Sequence, residues 1–381
     1  MLTKRSGALK YVNIIPLQGK RGGGKVKINS HRAWTVLFGR IAAAIALTAL
    51  VSTAHAEKRE FELTIEEISI NVAPGFNANV FAFNGQVPGP LIHVREGDEV
   101  TVHVTNNTTL PHTIHWHGVD QIGTWQSDGV PDITQKAIQP GEVFTYHWNA
   151  TRPGSLWYHC HVNVWEHVAI RGMWGPLIVD PKNPSALEKS VTKNVIMMMS
   201  TWESPYATNY GKGGGPGDVA DYFSVNGKSF PLTQPIRVHK GDVMRVRMIG
   251  AGDEIHELHL HGHDQLFTHK DGYAMASPYF MDTVPVGPGE RYDTIVQMNN
   301  PGRFIFHDHV DRHLNMGGML GGPITVIEYD EIPSDPWYAW AGKVYDPDFF
   351  YSESMKKGYG MFGNPNFVGT PIATARRSHQ P

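Results

Sequence analysis

Four pairs of histidines, each pair separated by one residue, constrain the fold of this chain more than any other feature. In a β-strand, residues i and i+2 point to the same face, so each pair presents two imidazoles side by side. One isolated pair would most simply be an exposed polar strand face, but four pairs indicate metal binding. Imidazole suits copper, zinc, iron or nickel, so the pairs alone do not identify the metal. The pairs are His115 and His117, His159 and His161, His259 and His261, and His307 and His309.

The histidine motifs occur twice along the chain with unchanged internal spacing. Each copy begins with a histidine three residues before the first pair, and each second pair follows a Pro-Gly dipeptide. Self-similarity this regular predicts an internal duplication. The repeated positions are His112, His115 and His117 with His256, His259 and His261, and Pro153, Gly154, His159 and His161 with Pro301, Gly302, His307 and His309.

The segments between these motifs have the pattern of β-strands. Residues 99–104 and 245–248 alternate in polarity with period two and lie between turn residues. The high counts of 40 glycines and 26 prolines fit many short strands joined by turns. We therefore predict an all-β protein with two tandem β-sandwich domains. The predicted domains are residues 57–184 and 185–329, and an irregular, aromatic-rich arm follows over residues 330–381.

The N-terminal segment is typical of a processing signal. Many basic residues precede the apolar run Ile41–Val51, and Ala54-His55-Ala56 then has the small-x-small pattern of a cleavage site. The apolar run is shorter than the roughly 20 residues that cross a bilayer, which disfavours a membrane anchor. We predict a signal peptide over residues 1–56, cleavage after Ala56, and a periplasmic or secreted protein.

The charge balance excludes one class of partner. The chain has 33 Lys and Arg against 36 Asp and Glu, a formal net charge of -3. Without a basic excess to neutralise phosphates, nucleic acid is not expected as a ligand.

The single cysteine, Cys160, narrows the choice of metal. It cannot form an intrachain disulfide, and a free thiol in an exported protein needs burial or a metal. Strand alternation directs its side chain away from the face shared by His159 and His161, so the thiolate and the imidazoles serve different sites. Two histidines, one cysteine and a weak axial methionine make a blue-copper electron-transfer site. His167 and Met173 follow the cysteine and are available for such a site.

The four histidine motifs resemble the copper-binding signatures of laccase-like multicopper oxidases. Because the one cysteine lies in the first domain, the chain resembles the two-domain class with blue copper in the N-terminal domain. The resemblance covers roughly residues 60–329 and implies cupredoxin-like Greek-key sandwiches. The segments that carry it are His115-Trp116-His117-Gly118, Trp157-Tyr158-His159-Cys160-His161, His259-Leu260-His261-Gly262-His263 and His307-Asp308-His309.

The resemblance implies four coppers per chain and a role for each ligand. Asp128, an acidic residue shortly after the first motif, matches the residue that relays protons to the cluster in the family. From the sequence alone, an ordinary Asp-Gly turn is an equally good interpretation of this position. The implied ligands are His112, Cys160, His167 and Met173 for type 1 copper, His115 and His259 for type 2 copper, His117, His159 and His309 for one type 3 copper, and His161, His261 and His307 for the other.

Two positions depart from the family pattern. The spacing between His167 and Met173 is one residue longer than usual, which puts the axial ligand in question. In the second domain, Asp308 stands where a thiolate would be, and a hard carboxylate cannot supply the soft sulfur ligand. We therefore predict no type 1 copper there, and expect His256 and His313 to be ordinary hydrogen-bonded histidines.

The function implied by the resemblance is oxidation of a reducing substrate coupled to reduction of O₂ to water. The electron donor is open: a phenol, an aromatic amine, a metal ion or a redox partner would serve. Each domain owns half of the cluster histidines, so the cluster must form where two domains meet, which in this class occurs between the chains of a homotrimer.

Two alternatives stay open at this level. Copper nitrite reductases share the blue-copper ligands, but have an aspartate in place of His115 and lack a histidine after the cysteine. A non-catalytic copper carrier would need only one blue site and would not explain the histidines of the second domain. Both alternatives predict fewer coppers per chain.

Overall fold

The computed structural model describes residues 56–204, 220–316 and 319–332. Apart from its last residue, the predicted signal peptide lies outside the described residues. The predicted arm also lies outside them after residue 332. Within the described residues, no helix is long and apolar enough to cross a membrane.

Eight strands in the first half of the chain form two four-stranded sheets. One sheet has the order β2-β1-β4-β6 and the other the order β3-β8-β7-β5. The strands are β1 (Lys58–Ala73), β2 (Phe76–Phe83), β3 (Ile92–Arg95), β4 (Glu99–Asn106), β5 (His115–His117), β6 (Val143–Asn149), β7 (Gly154–His159) and β8 (Trp174–Asp180).

The second half contains a six-stranded sheet, a five-stranded sheet and a small two-stranded ribbon. Their orders are β10-β9-β12-β17-β14-β15, β11-β21-β18-β13-β16 and β19-β20. The strands are β9 (Lys193–Trp202), β10 (Tyr222–Val225), β11 (Ile236–Val238), β12 (Val243–Gly250), β13 (His256–Leu260), β14 (Gln265–Lys270), β15 (Tyr273–Met281), β16 (Thr283–Val286), β17 (Arg291–Gln297), β18 (Arg303–Asp308), β19 (Asn315–Met316), β20 (Met319–Leu320) and β21 (Ile324–Tyr329).

Helical structure in the described residues is confined to short segments. They are a 3₁₀ turn at Trp125–Ser127, a π-helical segment at Trp165–Ile170, the four-residue helix α1 at Ala186–Lys189 and a 3₁₀ turn at Asp311–Leu314. The prediction of an all-β fold is confirmed.

Strand β4 shows how the polarity pattern builds the first core. Val100, Val102 and Val104 point inward and are buried, while the residues between them are more exposed. β4 lies between β1 and β6, so its backbone groups pair on both sides. Burying one valine side chain stabilises the fold by roughly 1.5–3 kcal/mol, so the inward row holds this sheet on the core.

Strand β9 contributes to both hydrophobic cores through its run of methionines. Met198 packs into the core of the first half, whereas Met197 and Met199 pack into that of the second. Side chains of a strand alternate between its faces, so consecutive residues reach opposite cores. The methionines fill gaps in the packing, an adaptable use of this side chain.

The strand pairing places the histidine pairs of each half next to each other. In the first half, His115 on β5 lies opposite His159 on β7. In the second half, His259 on β13 lies opposite His307 on β18. Residues directly opposite in antiparallel strands are close enough for their side chains to bind the same ion. Each half therefore presents four imidazoles together.

Candidate metal centre

Cys160 lies between two buried histidines just beyond the end of β7. Its Sγ is 3.6 Å from His112 Nδ1 and 3.4 Å from His167 Nδ1. All three side chains are buried, and the ring of Phe81 lies 4.8 Å from each imidazole. The structure thus brings together one soft thiol and two imidazoles in an apolar shell, the donor set of a blue-copper site.

Burial keeps these three ligands neutral in the metal-free protein. It raises the pKa of Cys160 to about 11. Burial, and then the neighbouring His167, lower the pKa of His112 to about 3. Burial and Arg171 lower the pKa of His167 to about 4. The imidazole lone pairs are therefore free over a wide pH range, and a bound metal must displace the thiol proton.

Thr108 orients one of these histidines. Its hydroxyl lies 2.8 Å from His112 Nε2, which leaves Nδ1 directed at the cysteine sulfur. Outer hydrogen bonds of this kind fix the orientation of a metal-binding imidazole. Sequence analysis missed Thr108, because no spacing rule marks a hydroxyl that reaches back to a histidine.

The backbone of Met173 is hydrogen-bonded to two residues of the Cys160 site. Its N–H donates to the carbonyl of His167 at 2.9 Å, and its own carbonyl accepts from the N–H of Cys160 at 3.1 Å. The side chain is fully buried in the core of the first half. The longer spacing to His167 is thus accommodated, and the axial role of Met173 stays a prediction.

The four histidines of the first half line one cavity of about 440 Å³. Ligand atoms of His115, His117 and His159 lie within 4.8 Å of one another. The ring of His161 is 5.5 Å from that of His115 and 6.0 Å from that of His159. Trp157 stacks on His159 at 4.2 Å, which supports one wall of the group. The arrangement can hold metal ions between its imidazoles.

Backbone carbonyls orient two of these imidazoles. His115 Nδ1 lies 2.7 Å from the carbonyl oxygen of Asp128, and His159 Nδ1 lies 2.7 Å from that of Cys160. A proton on each Nδ1 makes these hydrogen bonds and leaves each Nε2 free as a ligand. Burial lowers the pKa of His159 well below its ordinary value. Burial, with Arg291 next, lowers that of His117 to about 3.

Asp128 contacts the first histidine of the cluster with backbone and side chain. Its Oδ1 is 3.5 Å from His115 Nδ1, beyond the carbonyl contact. The close approach depends on Gly129, which has a φ of +84°, and a Cβ there would lie 1.9 Å from the carbonyl oxygen of Ile114. The sequence therefore needs glycine after Asp128 to bring this turn against β5. Its carboxylate thus lies beside His115.

The second half presents its own four histidines at a more exposed surface. The ring of His259 lies 4.8 Å from His261, 5.8 Å from His307 and 5.7 Å from His309. His307 Nδ1 is 2.7 Å from the carbonyl oxygen of Asp308, which repeats the contact between His159 and Cys160. His261 Nε2 and His307 Nε2 are 3.1 Å apart, so both point to the same space.

Asp282 is a residue that sequence analysis missed. Its carbonyl oxygen lies 3.1 Å and its Oδ2 lies 3.3 Å from His259 Nδ1, so it resembles Asp128 in its position beside His115. The distance along the chain from histidine to aspartate differs between the halves, and the repeat spacing therefore could not reveal it.

The two groups of four histidines do not meet within the described chain. Their ring contacts stay within each group. The second-half residues that line the cavity of the first group come from loops, and include Asp253 and Gly289 rather than any histidine. Each group therefore holds four of the eight histidines that the sequence predicts for one cluster.

The position that corresponds to Cys160 in the second half has no sulfur, as the sequence shows. His256 and His313 each place Nδ1 2.7 Å from Asp308 Oδ2. The expectation that both are hydrogen-bonded histidines agrees with these contacts.

The residues present fit copper. A buried thiol with two imidazoles suits a soft metal with redox chemistry, and imidazole-only sites suit cupric ion equally well. The hydrogen bonds on the opposite ring nitrogens are those expected around metal-binding histidines.

Comparison with known proteins identifies the family. Multicopper oxidase models match residues 64–184 and 200–324, which together span most of the described chain. The chain is 67% identical to a multicopper oxidase of known structure, mgLAC, over 82% of its own length and 99% of that protein, with a TM-score of 0.74. A blue copper oxidase from Nitrosomonas europaea is 58% identical over 83% of this chain and 100% of the other, also with a TM-score of 0.74.

Curated relatives are longer proteins. Laccase-2 of Botryotinia fuckeliana is 33% identical over 63% of this chain but only 43% of its own length. The chain thus spans less than half of the curated laccases it matches. The matched models and structures confirm the predicted cupredoxin-type fold and the resemblance drawn from the histidine motifs. The chain belongs to the multicopper oxidase family.

Proposed function

We propose that this protein oxidises a reducing substrate at a type 1 copper and reduces O₂ to water at a trinuclear copper cluster. The observation that carries the proposal is the position of Cys160 between two sites. Its side chain faces His112 and His167, while its backbone carbonyl accepts a hydrogen bond from His159 in the histidine cavity. One residue thus connects both sites.

The path between the two sites is short because Cys160 is joined by peptide bonds to His159 and His161. A hydrogen bond of 2.7 Å between His159 Nδ1 and the Cys160 carbonyl adds a second contact. Copper, when bound, supplies the one-electron redox chemistry. Burial of the thiol and of His159 excludes water from the region between the sites.

We assign the supply of protons to Asp128. Its carboxylate lies beside His115 and is partly open to solvent, with about a third of its side chain exposed. A group in this position can take a proton from water and pass it toward the cavity. Support comes from its geometry and from the matching position in the family.

The test is a copper count on metal-loaded protein, with an absorption spectrum and oxygen uptake from the same sample. We expect about four coppers per chain, intense blue thiolate absorption, near-ultraviolet absorption from a type 3 pair, and donor-dependent oxygen consumption. About two coppers without the near-ultraviolet absorption would overturn the trinuclear site.

The two alternative functions are less well supported. The matched family models are those of multicopper oxidases, and His115 and His161 occupy the two positions at which nitrite reductases differ. A copper carrier would not require the second group of four histidines. Nitrite reduction without oxygen uptake would favour the first alternative, and a blue spectrum without either activity would favour the second.

We further propose that the cluster forms between neighbouring chains of a homotrimer. Exposed apolar side chains accompany each half-site: Trp125, 57% exposed, lies just before Asp128, and Phe280, 67% exposed, lies just before Asp282. Large exposed aromatics beside an incomplete site favour burial against a partner. A head-to-tail contact joins the first half of one chain to the second half of the next and closes into a ring.

A complementation experiment tests this assembly. A chain with His117→Ala lacks a working first half-site, and a chain with His261→Ala lacks the second. When the two are unfolded and reassembled together, some interfaces pair two intact halves, so oxidase activity and type 3 absorption should return. A cluster built within one chain would give no recovery, because every chain carries one defect.

We also propose that the mature protein is exported, supported by the basic and apolar pattern of residues 1–56. N-terminal sequencing of protein from the periplasm or medium should begin at Glu57. A full-length N-terminus on a cytosolic protein would contradict this.

A further inference from the structure

One buried cluster of metal-binding side-chain types lies outside the proposed copper sites. The side chains of His256 and Asp308 are fully buried, and that of His313 is nearly so. They occupy in the second half the positions that the blue-copper ligands have in the first. We refer to these three residues as the triad.

The distances within the triad are those of hydrogen bonds. His256 Nδ1 and His313 Nδ1 each lie 2.7 Å from Asp308 Oδ2. Two ligands about 2.1 Å from one ion, at trigonal or tetrahedral angles, lie roughly 3.4–3.6 Å apart. The distances around Cys160, 3.6 and 3.4 Å, fit that separation, whereas those of the triad are too short.

The Asp308 carboxylate has its hydrogen-bonding capacity filled by protein groups. Oδ2 accepts from both histidines, and Oδ1 accepts from the backbone N–H of Glu257 at 2.9 Å and of Val310 at 3.0 Å. Four donors thus satisfy the buried carboxylate without a metal.

The same carboxylate fixes the backbone around two cluster histidines. Asp308 lies between His307 and His309, and its carbonyl accepts from His307 Nδ1 at 2.7 Å. The backbone N–H of His309 donates to the carbonyl of Glu257 at 2.7 Å, and the N–H of Glu257 donates to Asp308. A displacement of the carboxylate would therefore shift the backbone that carries both histidines.

Packing holds the triad in this position. Phe223 stacks on the His313 ring with centroids 3.8 Å apart. The Nε2 atoms of His256 and His313 are buried and have no hydrogen-bond partner among the described residues. Each histidine is thus fixed through a single polar contact, its Nδ1–H bond to Asp308, and the carboxylate is the shared centre of the cluster.

We propose that the triad of His256, Asp308 and His313 is a metal-free anchor that positions His307 and His309 for the shared copper cluster. In the first half, a copper bound by Cys160 would hold the equivalent end of the strand in place. In the second half, hydrogen bonds to the Asp308 carboxylate would take the place of that metal. The inference rests on the proposed function, because it assumes that these two histidines bind the type 3 pair.

The test replaces Asp308 with asparagine and compares copper binding at the two sites. In the Asp308→Asn variant an amide faces two N–H donors, so the anchor loosens. We expect the affinity for the type 3 coppers to fall about 10–100-fold, with matching loss of near-ultraviolet absorption, because outer-shell contacts typically contribute that much. The blue absorption at Cys160 should be unchanged.

The matched control is Asp242→Asn. Asp242 is also in the second half, and its carboxylate accepts from the His239 N–H and the Thr192 hydroxyl, each at 2.8 Å. It should leave type 3 absorption intact. Equal loss in both variants, or full type 3 absorption in Asp308→Asn, would overturn the positioning role.

A second pair of variants covers failure of Asp308→Asn to fold. His313→Asn keeps an N–H donor near the carboxylate, whereas His313→Leu removes it. We expect the leucine variant to lose type 3 copper and the asparagine variant to recover most of it. Equal type 3 copper in both variants would contradict the inference.

Elemental analysis separates the anchor from a metal site. A further stoichiometric ion in the unmodified protein that disappears from Asp308→Asn would show that the triad binds metal, against the inference. If the unmodified protein itself lacks type 3 absorption, the proposed function fails first, and the inference fails with it.

Discussion

The two halves of the molecule use the same buried position in opposite ways. In the first half, His112 and His167 flank the sulfur of Cys160 at distances that fit a metal between them. In the second half, two equivalent histidines bond directly to Asp308. One change from a soft sulfur to a hard carboxylate thus accompanies the difference between the proposed redox site and the proposed structural one.

The largest effect is expected when the Cys160 site is given the carboxylate of the second half. We expect Cys160→Asp to abolish blue absorption and to lower oxidase activity by more than about 100-fold, since even outer-shell changes cost 10–100-fold. Copper count, visible spectrum and oxygen uptake measure the effect. Cys160→Ser, which has no charge, is the control, and it should also lose the blue band. Retention of blue absorption in either variant would remove Cys160 from the site.

The next test concerns the aspartates of the two half-sites. Asp128→Asn should lower turnover by about 10²-fold, because a positioned acid or base typically contributes 10²–10⁴-fold, while the copper count and blue band remain. Asp282→Asn is the paired variant in the second half. A lower copper count in Asp128→Asn would indicate that the carboxylate supports metal binding instead of proton transfer.

Sequence reasoning reached most of the fold and the ligand groups, because both depend on local periodicity. The alternation of Val100, Val102 and Val104 predicts an inward strand face, and the structure has it. The side chains that contact the histidines could not be predicted in this way. Thr108 and Asp282 reach their histidines through loop geometry, and the fate of the Asp308 carboxylate depends on side chains brought together from separate strands. No spacing in the sequence encodes such contacts.

A third test weakens the first site from outside. Thr108→Val keeps the shape of the side chain but removes the contact to His112 Nε2. We expect about a tenfold loss of copper affinity at the Cys160 site, at the lower end of outer-shell effects. Competition with a copper chelator, monitored through the blue band, measures it. Thr101→Val, which removes a surface contact to His147, should have no effect.

Acid should destabilise the metal-free protein. The pKa of His112 and of His117 is about 3 in the folded chain, against an ordinary value of 6.5, so the unfolded chain binds these protons more readily. Stability is therefore complete above about pH 6.5 and falls as the pH drops toward 3. We expect the melting temperature of the metal-free protein to fall by several degrees between pH 7 and pH 4.5. Bound copper should raise the melting temperature, because it binds the folded state. A flat profile in the metal-free protein would contradict the burial of these histidines.

The smallest effect is expected when Asp308 in the second half is replaced by cysteine. This variant is also the most direct test of the comparison between the two halves. In Asp308→Cys, two buried imidazoles would flank a thiol, as His112 and His167 flank Cys160. Copper entry requires the triad to open from 2.7 Å to roughly 3.5 Å, and the stacking of Phe223 on His313 resists that movement. We expect blue absorption per chain to rise by up to about twofold, with Asp308→Ser as the control without a thiolate. If Asp308→Cys folds but its blue absorption does not increase, the packing around His256 and His313 fixes the distance between them and residue 308. The difference between the two halves would then not be due to the identity of this ligand alone.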